Sequence, residues 1–133
     1  MIILDTHALV WMDEGSARLG KKARSRIDAA LKNSTLYVSA ISFWEVSMLV
    51  AKGRLQMQMS VDVWRNSLVE HGLREIPMTG DIAITAANLT DFHGDPADRF
   101  IAASAVNAAL HICTADKKIL AWGKKSLCID AQK

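Results

Sequence analysis

The sequence predicts an α/β fold, with residues 1–133 forming a single domain whose central parallel sheet is flanked by helices on both faces. Three observations carry this expectation. Short apolar stretches alternate with longer segments of helical periodicity, as in chains of strand–helix units. The connections between them are short. The apolar stretches also lack strict in–out alternation, which fits strands buried on both sides.

Each element can be justified in order. Ile2–Leu4 reads as a short buried strand and Ala8–Met12 as a turn of helix. Arg18–Lys32 is amphipathic, with Leu19, Ala23, Ile27, Ala30 and Leu31 on one face. Leu36–Val38 is a second strand, after which Ser39 caps a helix over Ala40–Ala51 that stops near Gly53. Val61–Glu70 is helical and ends at His71-Gly72; Glu75–Met78 is a short strand, and Thr79 caps a helix over Asp81–Leu89. Asp95 followed by Pro96 supplies an N-cap and a proline at the first helical position, for a helix reaching Ala109. His111–Thr114 is a strand, Lys117–Trp122 a helix and Leu127–Ile129 the last strand.

Composition sets the class. Half the residues are hydrophobic and 23% are charged, the balance of a globular, soluble chain. The net charge of +2 is too small to argue for a nucleic-acid partner or against one. The first apolar run is cut short by Asp5, which excludes a signal peptide or a membrane span at that position. Cys113 and Cys128 sit in apolar runs without metal-ligand spacing and are expected to be buried and reduced, which fits the cytoplasm. No Walker A loop or GxGxxG is present.

Four carboxylates stand out. Asp5 and Asp116 each follow a predicted strand, where loops at the carboxyl edge of a parallel sheet hold ligands. Glu45 and Asp98 lie on helices that follow such loops. Glu45 is unusual, because its neighbours three and four residues away are Ile41, Ser42, Met48 and Leu49, an inward stripe that offers no Lys or Arg. Asp98 is followed on its own stripe by Ile101, Ala102 and Ala105. Taken singly, Asp5, Asp98 and Asp116 read more readily as helix-capping or dipole-favoured acids than as catalytic groups. Glu45 has no capping role. Together the four can meet at one sheet edge, where their repulsion calls for a hard divalent cation. Oxygen ligands favour Mg²⁺ or Mn²⁺ over Zn²⁺, and such a site suits water-driven attack on a phosphodiester.

LDTHALVW, SAISFWEVSML, HGDPADRFIAASA and TADKKI, in that order, resemble the motifs of PIN-domain ribonucleases, and specifically the VapC-type toxins of bacterial toxin–antitoxin pairs. The resemblance spans nearly the whole chain. It implies a PIN-like fold and metal-dependent endonucleolysis of RNA, with Asp5, Glu45, Asp98 and Asp116 as the acidic metal-binding set and Thr6 and Thr114 as supporting hydroxyls. It also implies a small cognate antitoxin whose tail occupies the active-site groove, and a homodimeric toxin. Asp95 is read as the cap and Asp98 as the metal ligand. His7 is read as packing or hydrogen-bonding near the loop, and His93 as part of the turn before the helix.

The run Lys21, Lys22, Arg24 and Arg26 either steers RNA or forms the solvated face of a helix, and Lys52 and Arg54 carry the same two readings. Trp11 and Trp44 flank the acidic motifs and can line a groove for a partner helix; Trp64 and Trp122 read as core. Competing functions are a housekeeping PIN nuclease of RNA maturation and a non-catalytic PIN-fold binding module. Retention of all four acids argues against the latter, since a scaffold gains nothing from crowding like charges.

Overall fold

The computed structural model describes residues 1–133 throughout. The chain order is β1 (Ile2–Leu4), α1 (Thr6–Glu14), α2 (Lys21–Lys32), β2 (Leu36–Ser39), α3 (Ala40–Ala51), α4 (Val61–Glu70), β3 (Arg74–Ile76), α5 (Gly80–Asn88), α6 (Pro96–Ala108), β4 (His111–Thr114), α7 (Lys117–Leu127) and β5 (Cys128–Asp130). The five strands form one sheet in the order β3-β2-β1-β4-β5, and every pair is parallel.

Both faces of the sheet are covered, which is why the strands are apolar without alternation. Ile2 and Leu4 point to one side, where Leu9 of α1, Ala23 and Ile27 of α2, Phe43 and Val46 of α3 and Trp64 of α4 pack. Ile3 and Ile112 point to the other, against Ala97, Ile101, Ala102 and Ala105 of α6 and Ile119 of α7. Helix α5 lies outside α6, with Ile82 and Ala86 against Ala103. Cys113 and Cys128 are buried free thiols, and burial pushes them up to about 12 and about 11 respectively. No helix is long and apolar enough to cross a membrane.

Several boundaries differ from the sequence expectation. α1 starts at Thr6, not Ala8, because the Asp5 carboxylate accepts a hydrogen bond from the Ala8 amide and so caps two residues earlier. α2 starts at Lys21; Leu19 is buried but lies before the helix, so the apolar stripe outruns it. β3 is Arg74–Ile76, shifted back by pairing of Tyr37, Val38 and Ser39 with Arg74, Glu75 and Ile76, and Pro77 follows with no amide hydrogen to extend the ladder. α7 continues past Trp122 to Leu127, across non-helical backbone at Lys124 (φ 52°).

Chain order places the reversal of the sheet between β1 and β4: β2 and β3 extend one way from β1, β5 the other. Crevices at the carboxyl edge open at such a reversal.

Candidate functional site

The β1–β4 register builds the first half of the site. Ile3 pairs with Ile112 and Leu4 with Cys113, and the Asp5 amide donates to the Cys113 carbonyl at 3.1 Å. One residue further, Asp5 and Thr114 therefore meet, and the Thr114 hydroxyl donates to Asp5 Oδ2 at 2.5 Å. With Oδ1 accepting from the Ala8 amide at 2.8 Å, both carboxylate oxygens of this buried residue are fixed. Burial raises the Asp5 carboxyl above its ordinary range against the lowering effect of those two hydrogen bonds.

Glu45 reaches the same place from α3. Its Oε1 is hydrogen-bonded to the Thr6 hydroxyl, which also lies 2.9 Å from Ser42 Oγ. With Glu45 ionised, Thr6 gives its single proton to the carboxylate and Ser42 supplies the second bond. The partner that Glu45 lacks on its own helix is thus a hydroxyl from α1. Burial is the main cause of its raised pKa; Thr6 opposes it, and Asp95 and Asp5 add to it.

Asp95 caps α6 by accepting from the Asp98 amide at 3.1 Å, as expected from its place before Pro96. Asp98 then sits in the first turn, facing the other acids. Its carboxyl is pushed up to about 7, first by burial and then by the charges of Asp95, Glu45, Asp5 and Asp116. Asp116 itself caps α7, its Oδ1 accepting from the Lys118 and Ile119 amides at 2.8 and 3.1 Å, while Thr114 Oγ1 accepts from the Asp116 amide.

These residues line one cleft of about 350 Å³ together with Thr6, His7, Trp11 and Ala115, and no Lys or Arg is among the lining residues. A larger hollow of about 450 Å³, which includes Val10, Leu55, Met57, Met59 and Trp64 in its lining, shares no residue with it. Chemistry, not size, singles out the acidic cleft. Five carboxylates with three raised toward neutrality form a donor set that a hard cation fits: the charge it brings is the charge the cleft lacks.

Residues 2–125 match the family described as PIN domain. The chain belongs to the PIN-domain family. Ribonuclease VapC22 of Mycobacterium tuberculosis is 34% identical over 119 residues, covering 89% of this chain and 88% of that relative. Among solved structures, a toxin–antitoxin complex from Klebsiella pneumoniae has a TM-score of 0.69 at 19% identity, with 98% of each chain covered. VapBC2 from Rickettsia felis, bound to a DNA fragment from their promoter, gives 0.67 at 17% identity with the same coverage. At those identities the structures establish the shared PIN fold.

All four acids singled out from the sequence meet in the PIN cleft, as do Thr6 and, through Asp5, Thr114. Asp95 lines it too, so its capping role does not remove it from the site. Trp11 is on the wall, whereas Trp44 is 57% exposed and outside the lining. Trp64 is core; Trp122 is only half-buried, edge-on to Phe92 at 4.9 Å with Nε1 donating to the Thr90 carbonyl. Lys21, Lys22, Arg24 and Arg26 lie on α2, and none lines the cleft. Lys117 and Lys118 are cationic candidates outside the runs singled out in the sequence. They line an adjoining groove with His93, Gly94, Asp95, Asp98 and Asp116, and their adjacency to Asp116 in TADKKI was the available signal.

Proposed function

We propose that this PIN-domain protein is an Mg²⁺- or Mn²⁺-dependent endoribonuclease, the toxin of a toxin–antitoxin pair, acting in the cytoplasm on RNA and held in check by a small antitoxin. The observation that carries the reading is the convergence of Asp5, Glu45, Asp95, Asp98 and Asp116 on a cleft without a lining cation. The relative named ribonuclease VapC22 supports RNA as substrate, and the toxin–antitoxin complexes among the structural neighbours support the partner. A homodimer is the assembly we infer from the same resemblance.

Asp5, Glu45, Asp98 and Asp116 are the residues proposed to hold the cation. Bound there, it would neutralise the cluster, lower the pKa of water for attack on phosphorus and stabilise charge on the leaving oxygen. The chain's own groups supply the rest. Thr114 and the Ala8 amide hold the Asp5 carboxylate in one orientation, and Thr6 does the same for Glu45. Preorganised acids need no rearrangement when the substrate arrives. Lys117 and Lys118 stand where an RNA phosphate can approach past the acids. Trp11 offers an aromatic face for an unpaired base.

The test is cleavage by purified, antitoxin-free protein. RNA should be cut with Mg²⁺ or Mn²⁺ and spared in EDTA, and the products should carry 5′-phosphate and 3′-hydroxyl ends. Cyclic-phosphate ends, or full activity in EDTA, would overturn the mechanism. Sequencing RNA 5′ ends after brief induction in cells, beside an Asp5→Asn control, identifies the cut site. If a small gene for an antitoxin lies beside this one, co-expression of the two should yield a stable complex and suppress toxicity.

A further inference from the structure

His93 is held from two sides at the edge of the acidic cleft. Its ring stacks on Phe92, with centroids 4.7 Å apart and planes 18° from parallel. Its backbone is pinned by Arg99, which donates to the carbonyls of both Phe92 and His93. The Asp95 amide donates to His93 Nδ1 at 3.4 Å, so in the neutral ring the proton sits on Nε2. That nitrogen is buried, has no aligned hydrogen-bond partner, and lies 3.3 Å from Asp98 Oδ2. One donor atom each from His93, Asp98 and Asp116 lie within 4.8 Å of one another. A buried N–H needs an acceptor, and the carboxylate oxygen within ion-pair distance of this one is Asp98 Oδ2.

We propose that His93 is a positioning residue of the metal site: its Nε2–H holds one oxygen of Asp98 and leaves the other for the cation. The inference rests on the metal-dependent reading above. Direct ligation by Nε2 would instead require that nitrogen to give up its proton and Nδ1 to carry one, and the Asp95 amide already points its own hydrogen at Nδ1. Hydrogen-bond partners of ligating carboxylates orient them, and their loss typically costs 10–100-fold in metal affinity.

The experiment is calorimetric titration of the full chain with Mn²⁺, comparing wild type, His93→Phe and His93→Gln. Phe keeps a ring to stack on Phe92 but has no donor; the Gln amide nitrogen falls close to the position of Nε2 and can donate. His93→Phe should weaken Mn²⁺ binding by about 10–100-fold, and His93→Gln should restore most of it. Melting temperatures in EDTA monitor folding; a purely structural role would lower them without rescue of Mn²⁺ affinity by Gln. Pulsed EPR of the Mn²⁺-loaded wild type should show no directly bound ring nitrogen. Wild-type affinity in His93→Phe, failure of Gln to rescue, or a strong ¹⁴N coupling lost in His93→Phe would each overturn the inference while leaving the metal site standing. A wild type that does not bind Mn²⁺ overturns the metal reading and this inference with it.

Discussion

Asp5 serves two ends with its two oxygens: Oδ1 starts α1 at the Ala8 amide, and Oδ2 receives the Thr114 hydroxyl across the β1–β4 pair. Capping and site-building, which the sequence presents as alternatives, are here the same geometry. The same holds for Asp116, which caps α7 while lining the cleft. Asp95 and Asp98 divide the roles more sharply. Asp98→Asn should remove most cleavage activity, whereas Asp95→Asn should retain far more, and its melting temperature should stay near wild type because an Asn oxygen caps as well as an Asp oxygen. Cleavage rates beside thermal melts of the two variants check this. The carboxylates were legible because an acid on an apolar stripe needs an explanation. Arg99 was not, because its partners are backbone carbonyls that leave no side-chain signature. Its guanidinium donates to the carbonyls of Ala86, Ala87, Leu89, Phe92 and His93 at 2.9–3.4 Å, tying the last turn of α5 and the loop after it to the helix that carries Asp98. Arg99→Lys keeps the charge but not the planar fork, and should cost roughly 2–3 kcal/mol in urea unfolding.

At the scale of elements, α6 shows how composition positions chemistry. Ala97, Ile101, Ala102 and Ala105 are buried, and their mostly small side chains let the helix lie close to the sheet while its N-terminal turn presents Asp98. Element type and order followed from periodicity, and strands β1 and β4 and helix α3 fall where apolar pattern and caps place them. Boundaries moved where a tertiary partner decides them. The back-shift of β3 is set by its register on β2 and by Arg74, whose guanidinium lies 5.1 Å from the Tyr37 ring centre, neither of which can be read along a single strand. The start of α2 is tied to residues 131–133 by backbone hydrogen bonds. The Gly20 amide donates to the Ala131 carbonyl at 2.8 Å and the Lys22 amide to the Lys133 carbonyl at 3.0 Å. A Cβ on Gly20 would lie 2.5 Å from the Lys133 backbone nitrogen. Gly20→Ala should therefore push the C-terminal segment away and destabilise the fold by about 1–3 kcal/mol. A melting temperature equal to wild type would show that this segment gives way freely.

For the whole molecule, the strand order and the acidic cleft have one cause, since the reversal between β1 and β4 opens the crevice into which α3 and α6 bring their acids. Crowding like charges in a crevice makes the fold's stability depend on pH and on metal. Asp98 has an ordinary value near 3.8 and a folded value pushed up to about 7, so between these limits the native state binds more protons than the unfolded one. Stability of the metal-free protein is then full below about pH 4 as far as this group is concerned, and is lost as pH rises through about 7. Asp5 and Glu45, raised in the same direction, add to the slope. A divalent cation binds the deprotonated native cluster, so its stabilisation should grow over the same interval. At 100 times Kd the gain is about 2.7 kcal/mol, which amounts to several degrees of melting temperature. Thermal melts at pH 5 and pH 7.5, in EDTA and in Mn²⁺, should show a metal shift that is small at the lower pH and large at the higher. Asp98→Asn removes one repelling charge, so its EDTA melt at pH 7.5 should equal or exceed wild type while its Mn²⁺ shift shrinks. If that variant keeps the full shift, the cation is held elsewhere. If wild type shows none at either pH, the four acids Asp5, Glu45, Asp98 and Asp116 do not act as one metal site.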